Sequence, residues 1–265
     1  MPINIIIAGP RGKMGSEAVQ MVSNEESFTL VACIDRKNGG KALKDLEPFP
    51  GLDVPIFEDP EQCFQTVDAD VFIDLTVPDV GFEHTKLALL YDIHPVVGTS
   101  GFSSEQVAAL EDLSVTHGTG CIIAPNFAVG AVLMMQFAKT AAKYLPDVEI
   151  IEKHHDQKLD APSGTAVKTA NMIQETRENK QQGHPDEKEI LDGARGAQIE
   201  GVHIHSVRLP GLVAHQEVLF GGPGQTLTIK HDSYNRASFM EGVKLSVHKV
   251  MGLNKLVYGL ENILE

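Results

Sequence analysis

The stretch Ile3-Asn4-Ile5-Ile6-Ile7-Ala8-Gly9-Pro10-Arg11-Gly12-Lys13-Met14-Gly15 decides the fold. Its first six residues form a run rich in β-branched side chains, which is the pattern of a strand buried on both faces of a parallel sheet. A glycine-rich turn follows at once, and a helical pattern then runs from about Gly12 to Val22. Strand, glycine turn and helix in this order are typical of a dinucleotide-binding unit, in which the helix N-terminus binds the pyrophosphate.

The glycine spacing of this turn departs from the common fingerprint. The three glycines give GxxGxxG, whereas most dinucleotide-binding turns have GxGxxG. Arg11 and Lys13 add positive charge where an anion would sit. We therefore expect cofactor contacts from Gly9, Pro10, Arg11, Gly12, Lys13 and Met14.

A second strand, predicted over Phe28 to Ile34, ends at the pair Asp35-Arg36. A carboxylate at this place accepts hydrogen bonds from an adenosine ribose, as NAD requires. The adjacent Arg36 can bind the 2′-phosphate of NADP through a charge-assisted contact. The pair leaves NADH and NADPH both open. The alternative is a plain glycine-rich turn with a surface salt bridge, but the order of strand, glycines, helix and acid favours cofactor binding.

The rest of the first half alternates strand and helix patterns, with three more strands between residues 71 and 124. This alternation predicts an α/β fold with a Rossmann-like, doubly wound parallel sheet. Ligands of such sheets bind beyond the carboxyl ends of the strands. Two turns that follow predicted strands are therefore further cofactor candidates, namely Gly98-Thr99-Ser100 and Ala124-Pro125-Asn126-Phe127.

The second half has a different pattern. Polar residues at 178–200 predict a long loop, and three strands separated by Pro-Gly and Gly-Gly-Pro-Gly turns follow between residues 202 and 231. Turn-separated strands indicate antiparallel pairs, so we expect a second, α+β domain with a mixed sheet. We place a dinucleotide-binding domain at 1–127 and the second domain at 128–239, and we expect C-terminal helices over 240–265 to return to the first domain.

The densest polar cluster is Glu152-Lys153-His154-His155-Asp156-Gln157-Lys158-Leu159-Asp160-Ala161-Pro162-Ser163-Gly164-Thr165-Ala166. A histidine titrates near neutrality and can deliver a proton, and a nearby lysine can stabilise negative charge or act as a second acid. Ser163 or Thr165 can cap the helix that starts here, and its N–H groups can bind a carboxylate. The alternative is a polar loop that only caps a helix. No third ligand stands at a standard metal-binding spacing, so we expect no metal site.

Composition limits the classes of function. The 265 residues are 42% hydrophobic and 22% charged, as in folded globular proteins, and the net charge of −14 argues against nucleic-acid and membrane-surface partners. Cys33, Cys63 and Cys121 lie far apart without a CxxC pair, which argues against disulfides and a thiolate zinc site. The N-terminus has no basic segment or cleavage signal, and no apolar run is long enough to cross a bilayer, so we expect a cytoplasmic protein.

The cluster at 154–166 resembles the HHxxKxDAPSGTA signature of the 4-hydroxy-tetrahydrodipicolinate reductase family, also called dihydrodipicolinate reductases. Other motifs of that family agree in order across essentially the whole chain: the Gly9–Gly15 turn, Asp74-Leu75-Thr76, Gly98-Thr99-Ser100-Gly101-Phe102, Ala124-Pro125-Asn126-Phe127 and Val207-Arg208. The resemblance implies reduction of a cyclic, imine-containing dicarboxylate by NADH or NADPH in lysine and diaminopimelate synthesis. It also implies a homotetramer built through the sheet of the second domain.

The resemblance assigns roles to individual residues. His154 resembles the family's proton donor or acceptor, and Lys158 its second proton donor. The substrate contacts implied are His155, Ser163, Gly164 and Thr165. The cofactor contacts implied are the turn Gly9 to Met14, Asp35, Gly98 to Ser100 and Ala124 to Phe127.

Two departures from the family pattern concern the cofactor. Lys13 stands where many members have arginine, and Ser100 where many have threonine. Lysine keeps the charge but is not a bidentate phosphate ligand, which weakens the inference of a 2′-phosphate preference. Two other functions stay open on the residues alone. One is a different two-domain nicotinamide dehydrogenase acting on a small amino acid or semialdehyde, and the other is a cofactor-sensing protein that would not need both His154 and Lys158.

Overall fold

The computed structural model describes residues 1–178 and 180–264. Its helices and strands are, in chain order, β1 (Ile3–Ala8), α1 (Lys13–Asn24), β2 (Phe28–Ile34), β3 (Ile56–Phe57), α2 (Pro60–Thr66), β4 (Val71–Asp74), α3 (Pro78–Leu90), β5 (His94–Val97), α4 (Ser104–His117), β6 (Cys121–Ile123), α5 (Val129–Ala142), β7 (Asp147–His154), α6 (Gly164–Gln174), β8 (Ala197–Ile199), β9 (Val202–Arg208), β10 (Ala214–Gly222), β11 (Gln225–Ser233), α7 (Met240–Val250) and β12 (Leu256–Tyr258). Short 3₁₀ helices lie at Leu43–Asp45, Arg236–Phe239 and Leu260–Asn262.

The chain forms two compact units. The first comprises Met1–Ala128 together with the chain from Arg236 onward, and the second is Val129–Asn235. Each unit has its own sheet, with seven strands in the first and five in the second.

The sheet of the first unit has the order β12-β6-β5-β4-β1-β2-β3. Every strand pair in it is parallel. The chain leaves β1 toward β2 on one side and later returns to place β4 on the other side. The strand order therefore reverses between β1 and β4, which is the ligand-binding switch point of a doubly wound sheet. The α/β, Rossmann-like prediction is confirmed.

The core of the first unit follows from the apolar run of β1. Ile5, Ile6 and Ile7 are all completely buried, because a central parallel strand has helices on both faces. Ile6 packs in one cluster with Phe64 of α2 and with Phe72. Helices α1 and α7 contact each other, and α7 contacts β5 and β6. Full burial of each isoleucine side chain contributes about 1.5–3 kcal/mol, which fixes the strand that carries the glycine turn.

Local sequence signals set the helix boundaries near the site. Ser103 caps α4 in a capping box with Gln106, and Gly118 ends that helix at a φ of 65°, a left-handed conformation that favours glycine. Pro78 occupies the first turn of α3, where its missing N–H leaves no helical bond unmade.

The second unit contains a mixed sheet of order β11-β10-β7-β9-β8. Strands β7 and β9 are parallel, whereas β10 pairs antiparallel with both β7 and β11. The fully buried residues Val148, Ile150, Val218 and Phe220 alternate with partly exposed ones, so one sheet face is covered. Helices α5 and α6 contact each other and strands of this sheet, and they provide the cover. The predicted mixed sheet is confirmed.

Two secondary-structure predictions are wrong in part. The C-terminal segment 240–265 was expected to be helical, but after α7 it forms β12, which pairs in parallel with β6. The region 178–200 was expected to be loop, but its end forms β8, which pairs antiparallel with β9. A strand of three residues is too short to show alternation, and its existence depends on an available sheet edge.

None of the helices in the described residues is long and apolar enough to cross a membrane.

Candidate active site

The glycine turn after β1 is closely packed against the start of α1. Gly9 adopts a φ of 77°, which favours glycine. A Cβ on Gly15 would lie 2.0 Å from the carbonyl oxygen of Gly9, so the third glycine of the motif is required by space. Gly12 caps α1 without a side-chain hydrogen bond, and no acid stands in the first turn. The helix start therefore presents N–H donors and a positive dipole end to an anion.

Arg11 pairs with Asp35 across the ends of β1 and β2. Its Nε lies 2.6 Å from Oδ2 and its Nη2 lies 3.1 Å from Oδ1. The Asp35 carboxylate also accepts hydrogen bonds from the Lys37 N–H at 2.9 Å and the Asn38 side chain at 3.2 Å. Burial alone would raise the pKa of Asp35, but the hydrogen bonds of Arg11, Lys37 and Asn38 outweigh it and hold that pKa below its ordinary value. Asp35 is therefore an ionised carboxylate whose charge Arg11 offsets.

A cavity of about 370 Å³ lies at the switch point. Five of the predicted cofactor residues line it: Gly9, Arg11, Gly12, Asp35 and Arg36. The turn after β4 lines it too, and the helix that follows contributes His84. Its volume and its position beyond the strand ends fit the adenosine half of a dinucleotide. His84 could not be predicted as a cavity residue, because a lone histidine on a helix has no diagnostic spacing.

Asp74 joins two of the predicted turns. This side chain is completely buried at the end of β4. Its Oδ1 accepts hydrogen bonds from the Thr76 N–H at 3.0 Å, the Thr76 hydroxyl at 2.8 Å and the Thr99 hydroxyl at 2.8 Å. Its Oδ2 lies 3.1 Å from Nδ1 of His84. Asp74 thus holds the predicted Gly98-Thr99-Ser100 turn against the β4 turn.

The turns after β5 and β6 are held together by packing. A Cβ on Gly98 would lie 2.6 Å from Leu75 and 2.9 Å from the Phe127 ring. Phe127 itself is buried, as is Ala124, whereas Pro125 is exposed. Oδ1 of Asn126 accepts the N–H of Ala128 at 2.9 Å and fixes the end of the turn. The phenyl ring of Phe127 therefore packs against the turn after β5.

The second unit brings His154, Glu152 and Arg208 together at the carboxyl ends of two parallel strands. His154 of β7 lies opposite Arg208 of β9 in the strand register. The Nδ1 of His154 is 2.5 Å from Oε2 of Glu152, which is completely buried. The guanidinium of Arg208 makes two bonds of 2.8 Å to the two carboxylate oxygens of Glu152.

Burial and charge both act on this group. Burial alone would raise the pKa of Glu152, but hydrogen bonds from Arg208, Ser206 and His154 lower it overall. Burial lowers the pKa of His154, and the charges of Lys158 and Arg208 add to that effect. The hydrogen bond to Glu152 works in the opposite direction and favours the protonated imidazole.

The predicted substrate residues surround the start of α6. Ser163 is the N-cap, and its hydroxyl accepts the N–H of Ala166 at 3.2 Å. Gly164 and Thr165 occupy the first turn, whose N–H groups lack acceptors within a helix. His155 is exposed, and the Lys158 ammonium lies 2.8 Å from Oδ1 of Asp160. This end of the second unit therefore presents an imidazole, an ammonium and a helix N-terminus, a set that suits a carboxylate ligand.

The described ranges, 1–178 and 180–264, contain no group of three or more histidine, cysteine or acidic side chains arranged to hold a metal ion. The candidate residues instead form two sets. The cofactor set belongs to the first unit, and the proton-donor and substrate set belongs to the second. Glu152 opens the polar cluster of the sequence, but its residue type and position alone assign it no role.

A parallel sheet of this strand order with a cavity at its switch point, joined to a separate α+β unit, is typical of two-domain dinucleotide-binding enzymes. Family models described as the N-terminus and the C-terminus of dihydrodipicolinate reductase match residues 3–127 and 130–264. The chain belongs to the dihydrodipicolinate reductase family.

Close relatives have the same extent as this chain. It is 64% identical to the 4-hydroxy-tetrahydrodipicolinate reductase of Oceanobacillus iheyensis and 63% identical to that of Geobacillus thermodenitrificans, each over 100% of both chains. The solved structure of dipicolinate-bound dihydrodipicolinate reductase from Paenisporosarcina sp. TG-14 matches with a TM-score of 0.92 and 58% identity over 100% of both chains. An amine dehydrogenase from Mycobacterium smegmatis shares the fold, with a TM-score of 0.68 at 14% identity. The family predicted from the sequence is confirmed.

Proposed function

We propose that this protein catalyses the NADH- or NADPH-dependent reduction of 4-hydroxy-tetrahydrodipicolinate to tetrahydrodipicolinate, a step of lysine and diaminopimelate biosynthesis. The observation that carries the proposal is the folded cluster of His154, Lys158 and the α6 N-terminus, in a chain 64% identical to a relative with that name. In balance, the substrate loses water and gains one hydride and one proton.

The first unit has the features that the dinucleotide needs. Gly15 packs closely against Gly9, and no side chain covers the backbone where a pyrophosphate would lie. The cavity beside Asp35 is large enough for adenosine. When bound, the reduced nicotinamide supplies the hydride. We assign cofactor contacts to the turns after four strands: Gly9, Pro10, Arg11, Gly12, Lys13 and Met14; Asp35 and Arg36; Gly98, Thr99 and Ser100; and Ala124, Pro125, Asn126 and Phe127.

The second unit has the features that the dicarboxylate needs. Addition of a hydride to a conjugated imine leaves negative charge on the substrate, which an acid must neutralise. We assign that proton to His154, with its free nitrogen Nε2 as the delivering atom, and we assign the second acid to the Lys158 ammonium. His155, Ser163, Gly164 and Thr165 bind the carboxylates through an imidazole, a hydroxyl and the N–H groups of the helix start. The two units thus act as cofactor and substrate domains.

Both cofactors are expected to work. Arg11 offsets the charge of Asp35, so the carboxylate does not repel a 2′-phosphate, and the exposed Arg36 beside it supplies a cation. Asp35 remains available to ribose hydroxyls when NADH binds. We expect values of kcat/KM for NADH and NADPH of similar size, and a preference of about a thousandfold or more for either cofactor would contradict this assignment.

The test of the reaction is a coupled assay. The condensation product of pyruvate and aspartate semialdehyde is generated in place, and the absorbance of NADH or NADPH is followed after addition of the protein. We expect substrate-dependent oxidation of the cofactor. The control variant His117→Gln should keep the wild-type rate. His117 pairs with the exposed Asp92 in the first unit, and neither residue lines the cavity. Cofactor consumption no faster than background would refute the proposed function.

We also propose a homotetramer, formed through the open face of the second sheet. Ile151, His205, Glu217 and Lys230 form one row across that face by strand register, and helices α5 and α6 cover the other face. Light scattering on the purified protein tests this, with an expected mass four times the 28.7 kDa of the chain.

The three cysteines are buried free thiols, and on that ground we place the protein in the reducing cytoplasm.

A further inference from the structure

We propose that Glu152 and Arg208 are positioning residues that hold the His154 ring so that Nε2 is the nitrogen that gives or takes a proton, and that tie the Lys158 loop to the same cluster. The inference rests on the proposed function, since it explains how the second unit prepares its two acids. All the residues involved belong to the second unit.

Both oxygens of the Glu152 carboxylate accept hydrogen bonds. Its Oε1 accepts from Nη2 of Arg208 at 2.8 Å and from the N–H of Ser163 at 3.2 Å. Its Oε2 accepts from Nη1 of Arg208 at 2.8 Å and from Nδ1 of His154 at 2.5 Å. Ser206 adds a further hydrogen bond to this carboxylate. These contacts hold the side chain in one position against the imidazole.

This arrangement determines which nitrogen of His154 reacts. An ionised carboxylate only accepts hydrogen bonds, so Nδ1 must carry a proton. The other nitrogen, Nε2, is then the one that gives or takes a proton, and the negative charge of Glu152 stabilises the ring when both nitrogens are protonated. His154 is largely buried, with 16% of its side chain exposed. Burial lowers its pKa overall, and the hydrogen bond to Glu152 opposes that shift.

Arg208 connects the two acids. Besides its two bonds to Glu152, its Nη2 donates to the carbonyl oxygen of Asp160 at 2.8 Å. Asp160 is the residue whose carboxylate pairs with the Lys158 ammonium. One guanidinium therefore fixes the carboxylate behind His154 and the backbone of the loop that carries Lys158. A lysine at this position would lack the planar fork that makes these contacts together.

Stability alone does not account for the arrangement. A buried ion pair is often no more stabilising than apolar side chains of the same size, because both charges must be removed from water. The charged and titratable groups facing Glu152 are His154 on its own strand and Arg208 on β9, with Lys158 and Asp160 nearby on the loop. The neighbour on β10 is the uncharged Gln216, whose Nε2 donates to Thr169 at 2.8 Å. The ionisable side chains with a described hydrogen bond to Glu152, His154 and Arg208, thus both belong to the proposed proton-donor cluster.

The first test is the tautomer of His154 in the wild-type protein, read from the imidazole ¹⁵N shifts and assigned by comparison with His154→Gln. We expect a protonated Nδ1 at all pH values near neutrality, with titration at Nε2. A ring protonated at Nε2 when neutral, with Nδ1 titrating, would overturn the inference. This measurement does not depend on reductase activity, so it separates failure of this inference from failure of the proposed function.

The second test is the pH profile of Glu152→Gln. Loss of the negative charge should move the falling limb of kcat to lower pH and reduce kcat near neutrality by roughly 10- to 100-fold, while cofactor KM changes by less than about threefold. Glu152→Asp should restore part of the rate, and Arg208→Lys should lower kcat similarly. Glu175→Gln is the matched control, since Glu175 makes an exposed ion pair with Lys139. A pH profile of Glu152→Gln that superimposes on the wild-type profile would overturn the inference.

Discussion

Replacing Arg11 by alanine should change which cofactor the protein prefers. The Arg11 guanidinium makes contacts of 2.6 and 3.1 Å with Asp35, whose side chain is 5% exposed. Without the Arg11 guanidinium, the negative charge of the buried Asp35 carboxylate is no longer offset, and it would repel the 2′-phosphate of NADPH. The Asp35 carboxylate can still accept ribose hydroxyls in the variant, so NADH should lose much less than NADPH.

The magnitude follows from the contacts. Hydrogen bonds to a charged group contribute about 1.5–3 kcal/mol, and each 1.36 kcal/mol is a factor of ten. The Arg11 side chain is 43% exposed, so solvent screens part of this energy and the lower end of the range applies. We expect the ratio of kcat/KM for NADPH to that for NADH to fall by about tenfold.

The assay compares initial rates with each cofactor in the coupled reaction. The matched control is Lys44→Ala, because Lys44 makes an exposed ion pair with Asp53 in the same unit. Using the ratio removes any effect of Arg11 on the pyrophosphate, which both cofactors share. An unchanged ratio, or a ratio that moves toward NADPH, would refute the reasoning.

The remaining predictions concern the glycine turn and the response to acid. Gly15→Ala places a Cβ 2.0 Å from the Gly9 carbonyl oxygen, so it should lower the unfolding temperature and abolish the fluorescence change on NADH binding. The control Gly252→Ala should do neither, because its Cβ would meet nothing closer than 3.7 Å. Normal NADH binding by Gly15→Ala would contradict the requirement for glycine at this close approach. Asp35 and Glu152 have lowered pKa values in the folded protein, so the stability that they contribute is complete above the ordinary carboxyl pKa of about 4 and is lost as the pH falls through their folded values. These two carboxyls should therefore lower the free energy of unfolding in urea as the pH falls below about 4, and a free energy of unfolding that stays constant from pH 5 to pH 2 would count against them.

The strands of the first unit could be predicted from the sequence because their signal is local. The run Ile3–Ala8 has no polar interruption except Asn4, and turn residues bound the other buried strands. The strand Ile56–Phe57 and the helix Pro60–Thr66 were not predicted, since two residues give no periodicity and a helix of two turns gives little. The strand at Leu256–Tyr258 was assigned to helix, because only the free edge of β6 selects the extended form.

Some residues of the candidate site could likewise be predicted from local sequence, and others could not. His154, Lys158 and Ser163 belong to one contiguous segment, so their residue types and spacing are visible in the sequence. The partners that act on them are not local. Arg208 is 56 residues from Glu152, and it comes beside it only because β9 pairs in parallel with β7. The same holds for Arg11 and Asp35. The sequence predicts that Asp35 binds the ribose, but no local pattern indicates that Arg11 pairs with its carboxylate.

The central claim is that His154 and Lys158 supply protons to the reduced substrate. The most direct measurement is kcat for His154→Gln and Lys158→Met in the coupled assay, together with the Kd of the dinucleotide for each variant. We predict that each substitution lowers kcat by about 10²- to 10⁴-fold while the Kd stays within about twofold of the wild-type value, because the cofactor residues belong to the other unit. A kcat equal to that of the wild-type protein in either variant would contradict the account.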